Sequence, residues 1–393
     1  MSYKMSESQE ADNSRMLQEK QNGQMMQNDL VGLLLEWFDR SGRQLPWRLN
    51  KDPYRIWVSE IMLQQTQVQT VIPYFERFIA AFPTVTALAG ADEESVLKLW
   101  EGLGYYTRAR HLLAAARIVV SQHNGILPDL EPALRALPGI GAYTSGAISS
   151  IAWQKPVPAV DGNVVRVFAR LTGNAWRSGD PADRNRVNAL VQSLLPGDRP
   201  GDFNEAVMDL GATICLPQDP LCPACPLVNL CVARRENRIQ ELPVKKAKKD
   251  VPVEERTVLL LHCQDRWHVV RRPDSGLLAG LYTFDWLEGG PDQTQRMILH
   301  LTNNPSASWT RLPSLIHRFT HLVWQLEAIR IELDQPDLSL FSGFLSSPAE
   351  GQPPDGRWVS DRELEELPFP TAITFYRTSV LTDPLVQSEA LDS

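Results

Sequence analysis

The sequence predicts a mainly α N-terminal domain over residues 29–232 and an α+β C-terminal domain over residues 252–386. Three observations carry that reading. Apolar residues recur at helical spacing in segment after segment from Leu30 to Gly211. Beyond residue 252 the rhythm changes to short strand-like runs, Glu255–Cys263 and Trp267–Arg271, turning near Gln264 and Asp265. Between them, residues 233–251 carry flanking prolines and the basic run K-K-A-K-K at Lys245–Lys249, which reads as an exposed linker able to touch phosphate. A chain of 393 residues with 43% hydrophobic residues is long enough for two packed cores.

In chain order, Leu30–Phe38 is a helix and R-Q-L-P-W-R at Arg43–Arg48 an extended turn. A second helix follows, with Asp52 as its N-cap and Pro53 at its first position. Ile56, Trp57, Ile61 and Met62 mark its inner side, and Glu60 lies among them. A carboxyl in that company is predicted to border a half-buried pocket, where desolvation raises its pKa and suits it to donate a proton near neutrality. Val71–Phe82, Val96–Leu99, Ala109–Val120 and Leu134–Leu137 are also helical, and G-L-G-Y-Y-T-R-A-R at Gly102–Arg110 is a loop opening a basic helix.

The segment L-P-G-I-G-A-Y-T at Leu137–Thr144 is a hairpin between two helices: Pro138 stops the first, and Gly139 and Gly141 permit a sharp turn and close backbone approach. The second helix is expected from Tyr143 or Thr144 to Trp153, its unpaired first N–H groups offering a phosphate site. Asp161 stands beside Gly162 at the expected start of a further helix, Val164–Leu171, with others at Val187–Leu195 and Phe203–Gly211.

Four of the five cysteines fall in C-x6-C-x2-C-x5-C: Cys215, Cys222, Cys225 and Cys231. Prolines punctuate the run, which suits a tight loop and a metal site; spacing alone leaves zinc and iron–sulfur open. Cys263, in a strand-like run, reads as a plain buried thiol. The net charge of −8 resides mostly in residues 235–393, so the first domain is nearly neutral and charge alone does not exclude nucleic acid. No apolar run is long enough for a membrane span. Residues 1–28 lack a signal or transit pattern and, with 387–393, are expected to be disordered tails.

The motifs L-P-W-R, S-E-I-M-L-Q-Q-T, G-L-G-Y-Y, L-P-G-I-G-A-Y-T, V-D-G-N-V-x-R-V and F-N-E-A-V-M-D-L-G-A-x-x-C stand in this order. Together they resemble the MutY family of adenine DNA glycosylases, with its helix-hairpin-helix at about 132–152 and an iron–sulfur loop at 215–231. The resemblance implies a [4Fe–4S] cluster on the four cysteines. It implies that Glu60 protonates adenine N7, that Asp161 stabilises the cationic sugar, and that Tyr143 and Asn163 position Asp161 and the sugar. It places Glu205, Arg43, Leu45 and Trp47 around the adenine pocket, Gln65 and Tyr105 at the opened duplex, and Gly139 and Gly141 against the DNA backbone. Relatives that also cut the strand carry a Lys where Tyr143 stands, so a lyase step is not expected. The implied partner is duplex DNA with A:8-oxoguanine or A:G mispairs, bound by a monomer in a bacterial cytoplasm, at the nucleoid.

In the second domain, Ile329–Leu333 and Arg357–Val359 read as strands, and Asp361–Glu366 and Thr371–Leu381 as helices. G-L-L-A-G-L-Y-T-F at Gly276–Phe284 resembles the Nudix-like domain of the same family. P-D-Q-T-Q-R-M-I-L-H lacks the acidic cluster that a hydrolytic relative needs for Mg²⁺, so recognition without hydrolysis is expected. Phe319, Thr320 and His321 match the family's lesion-reading Phe-Ser-His, with Thr for Ser as a departure. Two other readings are a glycosylase/lyase for oxidised pyrimidines resembling endonuclease III, and a non-enzymatic DNA-binding protein.

Overall fold

A computed structural model describes residues 29–177, 179–245, 250–341, 344 and 355–382. The expected tails at 1–28 and 387–393, and Lys246 to Lys249 of the basic linker run, lie outside these residues. The chain divides into two compact units, one of residues up to 86 with 114–247, the other of 87–113 with 248 onward.

The first unit is built of helices: α1 (29–41), α2 (Pro53–Leu63), α3 (Val68–Ala81), the larger part of α6 (Thr107–His123), α7 (Glu131–Arg135), α8 (Ala142–Trp153), α9 (Gly162–Thr172), α10 (Pro181–Leu194), α11 (Pro200–Thr213) and α12 (Val232–Arg235). One hydrophobic cluster joins Leu34 of α1, Val164 and Phe168 of α9, Val187 and Val191 of α10, and Phe203 and Leu210 of α11. The predicted helices are all present, with ends displaced by a few residues.

The second unit holds a seven-stranded mixed sheet: β1 (Val253–Cys263), β2 (Arg266–Arg271), β3 (Tyr282–Thr283), β4 (Asp285–Glu288), β5 (Ala307–Arg318), β6 (Val323–Leu333) and β7 (Asp355–Ser360). Its main path runs β3-β2-β1-β6-β5, with β4 on β1 and β7 on β2. β1 and β6 are parallel; the other pairs are antiparallel. Gln264 (φ 49°) and Asp265 (φ 60°) make the tight turn between β1 and β2 where the sequence places it. Alternation along β1 sends Val258 and Leu260 to one face, under α14 (Asp361–Glu366) and α15 (Thr371–Thr382), and Leu259, Leu261 and Cys263 to the other, under α13 (Pro291–Thr302). Cys263 is a buried free thiol, as expected.

The structure adds three features. β5 was not legible because none of its residues is buried, its half-buried positions do not alternate regularly, and Pro313 falls within it; it is an edge strand, and the register shifts between Leu312 and Leu315 beside that proline. α13 carries Asp292 as its one acidic residue. And residues 87–113, which the sequence reading keeps in the helical domain, group with the sheet. Their polar side chains explain why. From α5 (Glu93–Trp100), Lys98 Nζ reaches the carbonyls of Glu365 and, at 3.1 Å, Leu367; Arg377 ion-pairs with Glu101; and the Tyr106 hydroxyl donates to the Phe369 carbonyl at 3.2 Å. Among the described residues no helix is long and apolar enough to cross a membrane.

Candidate active site

α2 starts as its sequence dictates: Asp52 accepts from the N–H groups of Tyr54 (2.8 Å) and Arg55 (3.1 Å), with Pro53 at the first position. Every residue from Ile56 to Met62 is buried, so the helix carries Glu60 into the interior, 5% exposed. Its Oε2 has no hydrogen-bond partner among the described residues.

α8 meets this helix from the hairpin. Gly139 takes φ 80°, a conformation that a side chain resists, so the turn itself requires that glycine. Gly141 is different: it caps α8 with an extended backbone (φ −94°), and a Cβ there would meet nothing within 4 Å. The turn therefore rests on Gly139, and the space beside Gly141 is open. Ala142, not Tyr143, is the first residue of α8. Gln64 Nε2 ties the end of α2 to Thr144 Oγ1 at 3.3 Å. Tyr143 then falls within hydrogen-bond reach of Glu60, and its hydroxyl donates to Met208 Sδ at 3.1 Å.

Burial pushes Glu60 up to about 7 from an ordinary 4.5; the Tyr143 hydroxyl opposes the rise, the Glu205 and Asp161 charges add to it, and Arg48 opposes it. The difference corresponds to roughly 3 kcal/mol in favour of the neutral acid. Asp161 is the N-cap of α9 and accepts from the Val164 N–H and from Asn163 Nδ2, both at 2.8 Å. Burial also raises this carboxyl, while those donors pull it down. The contrast between the two acids is thus softer than the sequence implied, since both are desolvated. What separates them is that Asp161 sits at a helix N-terminus with two N–H donors, whereas one oxygen of Glu60 has none.

Behind Asp161 runs a chain of hydrogen bonds. Asn163 Oδ1 accepts from Arg166 Nη2 (2.9 Å), Arg166 Nε donates to the Cys215 carbonyl (2.8 Å), and Arg170 Nη1 lies 3.4 Å from Cys215 Sγ. On the other side, Glu205 lies 2.5 Å from Arg48 Nε. Burial raises Glu205, and Arg48 counters it. Asp209, one helical turn beyond Glu205, receives Arg43 through Nε (2.9 Å) and Nη2 (2.5 Å), and Arg48 through Nη1 (2.8 Å) and Nη2 (3.0 Å). Burial alone would raise Asp209, but the two arginines bring it below its ordinary value.

The structure therefore brings Glu60, Tyr143, Asp161, Asn163 and Glu205 into mutual electrostatic or hydrogen-bond range. Arg43 joins them through Asp209. Leu45 and Trp47 are 6% and 5% exposed, and Trp47 packs edge-on against Phe75. Sequence reasoning did not single out Asp209, Arg48, Arg166 or Met208. The available signal was the Glu205–Asp209 spacing, which puts two acids on one face of α11 opposite two arginines.

Gln65, exposed after α2, takes φ 59°; a non-glycine residue in this left-handed region is strained by about 1–3 kcal/mol. In the second unit Tyr105 does the same (φ 49°, 43% exposed), and its hydroxyl lies 3.0 Å from Thr320 Oγ1. Thr320 is at the β5–β6 tip between Phe319, which packs edge-on against Trp324, and His321.

The four loop cysteines form no disulfide and line one cavity, together with Arg170 and Arg234 and with no carboxylate. Among the described residues no three His, Cys, Asp or Glu side chains gather tightly enough to hold a single metal ion. Cys215 is pinned by its N–H to the Leu210 carbonyl at 2.7 Å, and Cys225 by its own to Cys222 at 3.1 Å.

Residues 58–193 match the HhH-GPD superfamily of base excision DNA repair proteins, and residues 256–376 match the NUDIX domain. The chain is 34% identical over 405 residues to the adenine DNA glycosylase of Homo sapiens, covering 87% of this chain and 72% of that protein. It is 33% identical over 307 residues to the adenine DNA glycosylase of Buchnera aphidicola subsp. Acyrthosiphon pisum, covering 77% and 86%. Among solved structures, a thermostable thymine-DNA glycosylase superposes with a TM-score of 0.51 at 29% identity, covering 55% of this chain and 99% of that one.

Proposed function

Because the chain belongs to the adenine DNA glycosylase family of base excision repair enzymes, we propose that it excises adenine paired with 8-oxoguanine, or with guanine, by acid-assisted hydrolysis. The observation that carries this reading is the buried Glu60, pushed up to about 7, grouped with Tyr143 and Asp161. Cleavage of the N-glycosidic bond sends its electron pair onto the base, and a proton from Glu60 to adenine N7 makes the base a better leaving group. As a carboxylate at the start of α9, Asp161 stabilises the sugar cation that remains, and water adds at C1′, its proton returning to the Glu60 carboxylate left by the first step. Tyr143 and Asn163 hold the two carboxyls in register, and Glu205, Arg43, Leu45 and Trp47 enclose the base. Extrusion of adenine is physically required, and Gln65 and Tyr105, exposed in strained conformations, suit the wedge positions. The open space beside Gly141 and the free N–H groups of α8 suit a DNA phosphate.

Cys215, Cys222, Cys225 and Cys231 are the residues that would hold a [4Fe–4S] cluster, whose contribution would be structural and DNA-sensing. A cavity lined by four thiols and two arginines, with no carboxylate, suits a thiolate-ligated anionic group of this kind. In the second unit, the Phe319-Thr320-His321 tip serves to read the lesion. α13, with Asp292 alone, is unsuited to Mg²⁺-dependent hydrolysis, which supports recognition as the role of this domain.

Single-turnover assay on an A:8-oxoguanine duplex is expected to release adenine and leave an intact abasic strand. Borohydride added during turnover is expected to trap no protein–DNA adduct, because Tyr143 has no amine; a trapped adduct would establish the lyase reading instead. Thr320→Ala is expected to lower the preference for 8-oxoguanine over guanine opposite A by roughly fivefold, the size of one hydrogen bond. Unaltered selectivity in that variant would move the reader elsewhere.

A further inference from the structure

The G-L-L-A-G-L-Y-T-F motif of the second unit has no part in the chemistry above, yet the loop it closes holds an unusual arginine. Arg272 follows β2, partly buried, with its backbone N–H bonded to the Leu281 carbonyl at 2.8 Å. Its guanidinium stacks 4.3 Å from the centre of the Trp286 ring. Among the described residues no carboxylate pairs with it, and its buried Nε has no hydrogen-bond partner. A second guanidinium, that of Arg256, lies close enough to depress the Arg272 pKa further after desolvation has lowered it.

Arg256 differs in having carboxylate partners, although its buried Nε is likewise unpaired. It donates to Glu254 Oε2 at 2.7 Å, reaches Glu288 Oε1 at 3.4 Å, and sits between Trp286 (5.6 Å) and Trp324 (5.1 Å). Trp324 is fixed by Glu254 (3.1 Å) and packs at 5.0 Å against Phe319 of the β5–β6 tip. A continuous stack therefore runs Phe319, Trp324, Arg256, Trp286, Arg272, beginning at the proposed lesion reader and ending in a cation with no anion. A planar, partly desolvated guanidinium with no carboxylate partner is suited to bind phosphate through its terminal amino groups.

We propose that Arg272, supported by Arg256 and Trp286, binds a backbone phosphate of the DNA engaged at residues 319–321. The inference rests on the reading of the chain as a DNA glycosylase and adds a positioning contact to it. Such a contact fixes register and carries no base information. The stack fixes where that phosphate is held relative to the base read by Thr320.

The test uses the full chain and a duplex with 8-oxoguanine opposite a non-hydrolysable 2′-fluoro adenosine, with affinity measured from 50 to 200 mM salt. Arg272→Gln is expected to reduce the slope of log K against log salt by about 0.9, one phosphate's worth. Over that fourfold salt range, its affinity then falls roughly 3.5-fold less than wild type. The weakening is expected to be equal for 8-oxoguanine and guanine opposite the analogue, and Arg272→Lys is expected to keep the wild-type slope. Arg272→Met, which keeps the apolar contact with Trp286, replaces Arg272→Gln if that variant lacks a wild-type unfolding transition. An unchanged slope in the neutral variant, or a loss confined to the 8-oxoguanine duplex, overturns the proposal. Adenine release by wild type in the same preparation tests the glycosylase reading separately, so the two failures are distinguishable.

Discussion

Glu60→Gln is expected to lose adenine excision by about 10²–10⁴-fold in single-turnover rate, the range for removal of a positioned general acid. The variant keeps the shape of the side chain and removes the proton. Folding is not expected to suffer; it is expected to gain. A carboxyl whose pKa rises from 4.5 to about 7 on folding binds protons more tightly in the native state. Its contribution is fully favourable below pH 4.5 and is lost as pH climbs through 7. Glutamine has no charge to bury, so Glu60→Gln should be more stable than wild type at pH 8 by about 3 kcal/mol, with the advantage gone at pH 4. Urea unfolding at the two pH values measures this directly. A variant both inactive and destabilised at pH 8 would point to lost packing in place of a lost proton donor.

Asp161→Asn is expected to be at least as costly to the reaction, by about 10²–10³-fold or more, with DNA affinity within severalfold of wild type. An asparagine oxygen can still cap α9 by accepting from the Val164 N–H. It cannot supply a charge opposite the sugar cation, and its amide would face the Asn163 Nδ2 donor where a carboxylate now accepts. Loss of rate with retained binding is therefore the signature expected. An Asp161→Asn protein with more than a hundredth of wild-type activity would remove the carboxylate from the chemistry.

The parts of this site that were legible in the sequence are those whose signal is local. Glu60 stood out because Ile56, Trp57, Ile61 and Met62 surround it within one helix, and Asp161 because it precedes a helix start. The cysteines declared themselves by spacing. Asp209 did not, since its partners Arg43 and Arg48 are 166 and 161 positions away and nothing in the intervening chain records the pairing. The same holds for the path from Asp161 through Asn163 and Arg166 to Cys215: the first two steps are local, and the last spans 49 positions. In the second unit, β1 and β2 were readable as an apolar pair with a tight turn, whereas β5 was hidden by its half-exposed, proline-interrupted edge. The grouping of residues 87–113 with the sheet also escaped, because it depends on side chains such as Lys98 and Glu101 that look like an ordinary solvated helix end.

The cost of burying charge is concentrated around the proposed proton donor. Four carboxyls, those of Glu60, Asp161, Glu205 and Asp209, stand in or beside one buried region, and Arg43 and Arg48 neutralise chiefly Glu205 and Asp209. Glu60 is left without a full ionic partner, so burial raises it to about 7; burial also raises Asp161 and Glu205, and of the four only Asp209 is brought below its ordinary value, by the two arginines.

The most direct test of a neutral Glu60 as proton donor is the pH dependence of single-turnover adenine release from an A:8-oxoguanine duplex, with binding measured in parallel. The expected rate is level just below pH 7 and falls about tenfold per pH unit above it, while affinity changes little. A rate that stays level to pH 9 would mean that the proton reaching adenine comes from some other group.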